Sequence, residues 1–143
     1  MKVRDIMTRG VEMIHPDTTL QDAADTMKEL DVGLLPVCEE DRLVGMVTDR
    51  DITIRSTSEG LDPWTTPVRD AMTREVIFCF EDQDVAEAAR LMKEMQVRRL
   101  AVLNREKRLV GIVSLADLAV DAGDEQMAGQ TLERVFEPAQ TRR

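Results

Sequence analysis

The chain has 143 residues, 43% of them apolar, which is enough for a hydrophobic core without disulfide or metal staples. Its 19 Lys and Arg stand against 28 Asp and Glu, a formal net charge of −9 spread along the chain. That balance argues against nucleic acid and against anionic membrane surfaces, both of which select basic faces. The lack of any 18-residue apolar run, and of an apolar leader in "MKVRDIMTRG", points to a cytoplasmic protein with no membrane span.

In chain order, the first element is "VRDIMTR", Val3–Arg9, followed by Val11 and an expected short strand. Leu20, Ala23, Ala24, Met27 and Leu30 then recur at helical spacing, with Asp17, Thr18 or Thr19 as the cap. "GLLPVC" reads as a buried strand and Glu39-Glu40-Asp41 as a polar turn. "RLVGMVT", Arg42–Thr48, completes a hairpin, and a helix follows from Asp49. "STSEGLDPWTTP", Ser56–Pro67, is a connector by its Gly and two Pro. Trp64 within it suits a hydrophobic anchor for the linker better than a platform for a base.

The pattern then starts again. "VRDAMTR" occupies Val68–Arg74, Val76 follows, and Val85, Ala88, Ala89, Met92 and Met95 mark a helix capped by Asp82 or Asp84. "RLAVL" and "RLVGIVS" are strands separated by a turn at Asn104–Lys107, and a helix follows from Leu115. The tail "DEQMAGQTLERVFEP" suggests one more helix, with apolar residues around Leu132–Phe136 suited to a patch on the body or on a partner chain.

At a shift of 65 residues, becoming 66 after one extra residue near Lys107, 22 of the 52 positions from Val3 to Ile54 are identical. The chain is therefore two copies of one unit, each with the order short strand, helix, strand, strand, helix. The expected boundaries are 1–56 for the first copy, 57–67 for the linker, 68–121 for the second copy and 122–143 for the tail.

The most telling repeat is "LVGMVTDRDI" at Leu43–Ile52 against "LVGIVSLADL" at Leu109–Leu118. A glycine in mid-strand, Gly45 or Gly111, marks close approach by a ligand or by another backbone. Thr48 or Ser114 stands at a helix N-terminus, as a plain cap or as a contact for phosphate. Asp51 or Asp117 lies one turn inside, placed to accept two hydrogen bonds from a ribose diol or simply to complement the helix dipole.

The "DIMT" and "DAMT" openings, the helix with paired alanines, "LPV" ahead of a hairpin, and the glycine–hydroxyl–aspartate phrase, duplicated in this order, resemble a tandem pair of CBS (cystathionine β-synthase) domains. The resemblance runs from Val3 to about Val120 and is nearest to small stand-alone bacterial CBS pairs. It implies an α/β fold in which two β-α-β-β-α units pack sheet to sheet about a pseudo-twofold axis as a disc. It also implies two clefts for an adenosine derivative (AMP, ADP, ATP, S-adenosylmethionine or a dinucleotide such as NAD) acting as a regulatory ligand, and a homodimer. By the same resemblance Val11 and Val76 match a leading strand whose backbone meets adenine.

The two copies differ where charge would matter. Arg50 lies between Thr48 and Asp51, while Ala116 holds the corresponding place in the second copy. Arg98-Arg99 replaces Gly33-Leu34, and Ala101 replaces Pro36 of "LPV". Arg50 and Arg99 are candidate phosphate contacts or, equally, solvated surface arginines; Arg50 also has Asp49 and Asp51 as possible partners. The single histidine, His15, rules out a multi-histidine metal site and leaves no basis for a Ser-His-Asp set. Cys38 and Cys79 read as buried thiols acting as small apolar residues. Two classes of function remain: a non-enzymatic sensor that binds an adenosine nucleotide and relays occupancy to a partner protein, and a ligand-free interaction or structural module.

Overall fold

The structure, a computed structural model, describes residues 1–120. The tail helix expected around Leu132–Phe136, and its part in any interface, lie outside the described residues. The first repeat forms α1 (Leu20–Leu30), β1 (Leu34–Glu39), β2 (Arg42–Thr48) and α2 (Asp49–Ile52). The second forms β3 (Phe78–Phe80), α3 (Val85–Met95), β4 (Arg99–Leu103), β5 (Leu109–Ser114) and α4 (Leu115–Val120). A 3-10 turn opens each repeat, at Val3–Asp5 and at Val68–Asp70. A π-helical stretch, Thr53–Thr57, continues α2.

The same local chemistry recurs 65 residues apart. Thr19 Oγ1 accepts the Asp22 N–H at 3.2 Å and starts α1, while Asp84 Oδ1 accepts the Ala86 N–H at 3.0 Å and starts α3. Both helices stop on a residue in the left-handed region, Asp31 and Gln96, each with φ 53°. Each helix turns one apolar face inward: Leu20, Ala23 and Met27 from α1, Val85, Ala88, Ala89 and Met92 from α3. β1 and β2 make an antiparallel hairpin with Leu35 opposite Val47 and a register shift between Val37 and Cys38. Glu40 and Asp41 take positive φ in its turn. The extra residue of the second copy, near Lys107, also falls at a positive φ, 63°.

The chain divides into two compact units, and each takes its leading segment from the other repeat. One unit joins Met1–Val11 to Ile77–Glu106 and to the chain from Val110 onward; the other joins Glu12–Val76 to Lys107–Leu109. In the first of these, the Val3 N–H donates to Gln83 O at 2.9 Å, and Thr8 and Ile112 exchange backbone bonds at 2.8 and 3.0 Å. Val3, Ile6 and Met7 thereby enter the core formed by Ala88, Met92 and Val113. In the other unit, the Val68 N–H donates to Thr18 O at 2.7 Å, and Met46 and Thr73 exchange bonds at 2.9 and 2.8 Å. Val68, Ala71 and Met72 enter the core of Leu20, Met27 and Val47.

The expected short strand ahead of the helix forms in one repeat only. β3 pairs in parallel with β4 over three residues and gives the sheet order β3–β4–β5. At the equivalent place in the first repeat, Ile14 makes a single parallel bridge to Val37. Proline is the physical reason. The Glu81 N–H extends the second ladder by donating to Leu103 O at 2.9 Å, whereas its counterpart Pro16 has no N–H to give. Pro36, standing where β4 has Ala101, removes a second donor from the same ladder.

Candidate functional site

The repeated phrase builds the same small device in each unit. Gly45 lies in β2 directly under the leading segment: a Cβ there would sit 2.7 Å from Met72 Sδ and 2.9 Å from the Thr73 carbonyl oxygen. At Gly111 the corresponding distances are 2.7 Å to the Thr8 carbonyl oxygen and 2.8 Å to Met7 Sδ. Of the two reasons for a mid-strand glycine, a second backbone is therefore the one realised.

At the end of each strand a hydroxyl and an aspartate cap the next helix reciprocally. Thr48 Oγ1 accepts the Asp51 N–H at 3.0 Å, and Asp51 Oδ2 accepts the Thr48 N–H at 3.0 Å. Ser114 Oγ accepts the Asp117 N–H at 3.2 Å, and Asp117 Oδ2 accepts the Ser114 N–H at 2.7 Å. This capping box is what a hydroxyl three residues before an acid produces. It occupies one carboxylate oxygen and leaves the other, Oδ1, outside the exchange. The hydroxyls keep their own proton to donate. The four residues are half-buried, so each pair still meets solvent.

Around these pairs the units diverge. In the unit of Thr48, the Asp49 N–H donates to Gly33 O at 3.0 Å, and a Cβ on Gly33 would lie 3.0 Å from Asp49 Oδ2. In the unit of Ser114, Arg98 occupies Gly33's place and its carbonyl accepts the Leu115 N–H at 2.9 Å. Arg99 is exposed at the start of β4. Arg50 is exposed and lines an open depression of about 340 Å³ with Asp49, Thr53 and Ile54, rather than joining the Thr48–Asp51 pair. Asp51 takes its ion pair from Arg55 instead: Nε lies 3.9 Å from Oδ1, and Arg55 Nη1 donates to Met72 O at 3.1 Å. Sequence reasoning passed over Arg55, although its i,i+4 spacing from Asp51 was the signal. Val11 and Val76 are half-buried and lie outside any strand; the Val76 N–H turns back to Arg74 O at 3.1 Å.

The remaining singled-out residues stand apart from this device. His15 Nδ1 accepts the Asp17 N–H at 3.0 Å on an exposed loop, and Asp17 pairs with Arg69. Among the described residues no group of three His, Cys, Asp or Glu side chains is placed to hold a metal ion. Cys38 and Cys79 are buried free thiols. Burial pushes Cys79 up to about 12, and burial with the nearby Asp41 charge pushes Cys38 up to about 11, so neither is a thiolate nucleophile near neutrality. Trp64 does not anchor the linker: the residue is 70% exposed, and its backbone N–H donates to the Asp62 carboxylate at 2.9 Å. Among the described residues no helix is long and apolar enough to cross a membrane.

The model of the CBS domain family matches the chain twice, over residues 3–56 and 68–120. Hypoxic response protein 1 of Mycobacterium tuberculosis is 44% identical over 117 residues, 81% of each chain. A crystal structure of Hypoxic Response Protein I with two coordinated zinc ions superposes with a TM-score of 0.76 at 42% identity, over 83% of this chain and 97% of that one. CBSX2 in complex with AMP gives 0.75 at 27% identity, and the CBS domain pair of protein MJ0100 with 5′-methylthioadenosine and S-adenosyl-L-methionine gives 0.74 at 26%. Each of these two comparisons covers 87% of this chain and 98% of the other. The chain belongs to the CBS domain family and is a tandem CBS pair.

Proposed function

We propose that this chain is a regulatory sensor that binds an adenosine nucleotide and passes its occupancy to a partner protein. The observation that carries the reading is the duplicated pair Thr48–Asp51 and Ser114–Asp117, in which each carboxylate keeps one oxygen outside the cap. AMP, methylthioadenosine and S-adenosylmethionine, the ligands of the two solved relatives, share adenosine and differ in what replaces the phosphate. What they have in common is the base and the ribose 2′,3′-diol, and an ionised carboxylate is the natural acceptor for that diol. Asp51 and Asp117 are assigned to the ribose, Thr48 and Ser114 to the group at the 5′ position, and Arg50 and Arg99 to a phosphate where one is present. Val11 and Val76 lie in the segments assigned to the base. The functional form is taken to be a homodimer, and the protein acts without catalysis.

Calorimetry against AMP, ADP, ATP, S-adenosylmethionine and NAD tests the reading, with thermal unfolding as a parallel measure, since a ligand specific to the folded state raises the midpoint. Asp51→Asn keeps an oxygen for the Thr48 N–H and removes the charge offered to the ribose. A charged hydrogen bond contributes about 1.5–3 kcal/mol against about 0.5–1.5 for a neutral one, so binding at that site should weaken roughly tenfold with little change in the apo midpoint. Asp117→Asn should do the same at the other site. If wild type binds none of the five, the ligand-free interaction module replaces this reading. Undiminished binding by both variants would keep the function and discard the assignment of the ribose contact.

A further inference from the structure

Arg55 touches both the candidate ribose acceptor and the leading segment packed beside it. Its guanidinium spans two contacts in one unit: Nε is 3.9 Å from Asp51 Oδ1, and Nη1 donates to the Met72 carbonyl at 3.1 Å. Asp51 is the less exposed partner, its side chain 15% accessible against 51% for Arg55. Met72 precedes Thr73, whose backbone exchanges two hydrogen bonds with Met46 in β2. Arg55 lies in the π-helical stretch Thr53–Thr57, an irregularity that recurs in helices at functional sites. An ordinary i,i+4 surface pair would account for the ion pair alone. It would not account for the second bond, 17 residues away in the chain, to a segment that belongs by sequence to the other repeat.

We infer that Arg55 is a positioning residue that couples the Asp51 carboxylate to the Met72–Val76 segment, so that a ligand on Asp51 is felt in that segment. The inference rests on the nucleotide reading above. A hydroxyl donating to Asp51 Oδ1 competes for the oxygen that faces Arg55, and a guanidinium that shifts toward or away from it changes its hold on the Met72 carbonyl. The planar fork of arginine can hold two acceptors in fixed directions at once; a lysine ammonium is a single charged point on a flexible stem. The coupling is confined to one unit, because the aligned position in the second repeat carries Asp121.

Hydrogen–deuterium exchange with and without saturating AMP reads this directly, in wild type, Arg55→Met and Arg55→Gln. Arg55→Met removes both contacts. Arg55→Gln keeps an amide donor for Met72 and removes the charge facing Asp51. In wild type, AMP should alter exchange at residues 46–52 and also at 72–76. Both variants should still bind AMP and respond at 46–52, and should lose the response at 72–76. A response at 72–76 that survives in either variant overturns the coupling and leaves the nucleotide reading intact. If wild type binds AMP without any response at 72–76, the coupling also falls alone. If wild type binds neither AMP nor the other four nucleotides, the sensor reading and the coupling fall together.

Discussion

Gly45 and Gly111 set the tolerance of the whole arrangement at the scale of one atom. Each lies where a strand meets the carbonyl oxygen of the leading segment. A flexible methionine can move aside, but the Thr73 oxygen belongs to the backbone pair with Met46 and cannot recede without breaking it. Gly45→Ala should therefore destabilise its unit by about 1–3 kcal/mol, the usual cost of forcing extra volume into packed structure. Chemical denaturation checks this, and exchange of the Thr73 and Met46 amides should accelerate in the variant. A midpoint equal to wild type would mean that the close approach is relieved at no cost. The aspartates are subtler. Asp51 and Asp117 each close a cap for which the sequence suggested only the hydroxyls of Thr48 and Ser114, with the acids as complements to the helix dipole, and the same residue types at the same spacing suit a ribose. Residue identity could not separate the two uses, because the cap consumes one carboxylate oxygen and the ligand reading needs only the other.

At the scale of the element, much was legible. The spacing of Leu20, Ala23 and Met27 and of Val85, Ala88 and Met92 gave the two long helices, and Thr19 and Asp84 were among the expected caps. The hairpin of β1 and β2 and the helices starting at Asp49 and Leu115 also follow the pattern. Less legible was the asymmetry of the short leading strand, which turns on two imino acids rather than on any apolar pattern. Pro16 and Pro36 lack the N–H groups that would extend the parallel ladder. Glu81→Pro should bring the second repeat to the same state, with β3 reduced toward an isolated bridge. Loss of the Glu81–Leu103 bond should cost about 0.5–1.5 kcal/mol. Amide exchange across Phe78–Phe80 reads the effect locally, and unchanged protection there would refute it. The π-helical turn at Thr53–Thr57 carries no sequence signal of its own, and Arg55 went unnoticed with it.

For the whole molecule, the exchange of leading segments was hidden by the repeat itself. "VRDIMTR" and "VRDAMTR" offer nearly the same apolar residues at the same spacing, so either suits either core by composition. Only the three-dimensional arrangement shows that Val3, Ile6 and Met7 belong with α3 and Val113, and that Val68, Ala71 and Met72 belong with α1 and Val47. The exchange inverts the intuitive outcome of a truncation. Removing residues 1–9 takes three buried side chains from the core of the second repeat and none from the core of the first. Deleting a fully buried aliphatic side chain costs about 2–5 kcal/mol, so the loss of three should open that unit. Exchange should rise sharply in α3, β4 and β5 while α1, β1 and β2 stay protected. Damage confined to the first repeat would contradict the exchanged arrangement.

The same exchange fixes an order of events during synthesis. Residues 68–76, and after them Lys107–Leu109, must leave the ribosome before the unit built on α1 is complete. Met1–Val11 wait longer still, since their partners include Ile112 and Val113, near the far end of the described chain. At about 5–20 residues per second that delay is roughly 5–20 s, during which Val3, Ile6 and Met7 are exposed on a chain that has not yet made their partners. The first repeat's own copy, Val3–Arg9, emerges before Val68–Arg74, so the order of translation does not by itself select the observed pairing of two nearly identical segments; the finished packing of each core does. Residues 1–11, made before the segments they pack against, are among the last to be buried.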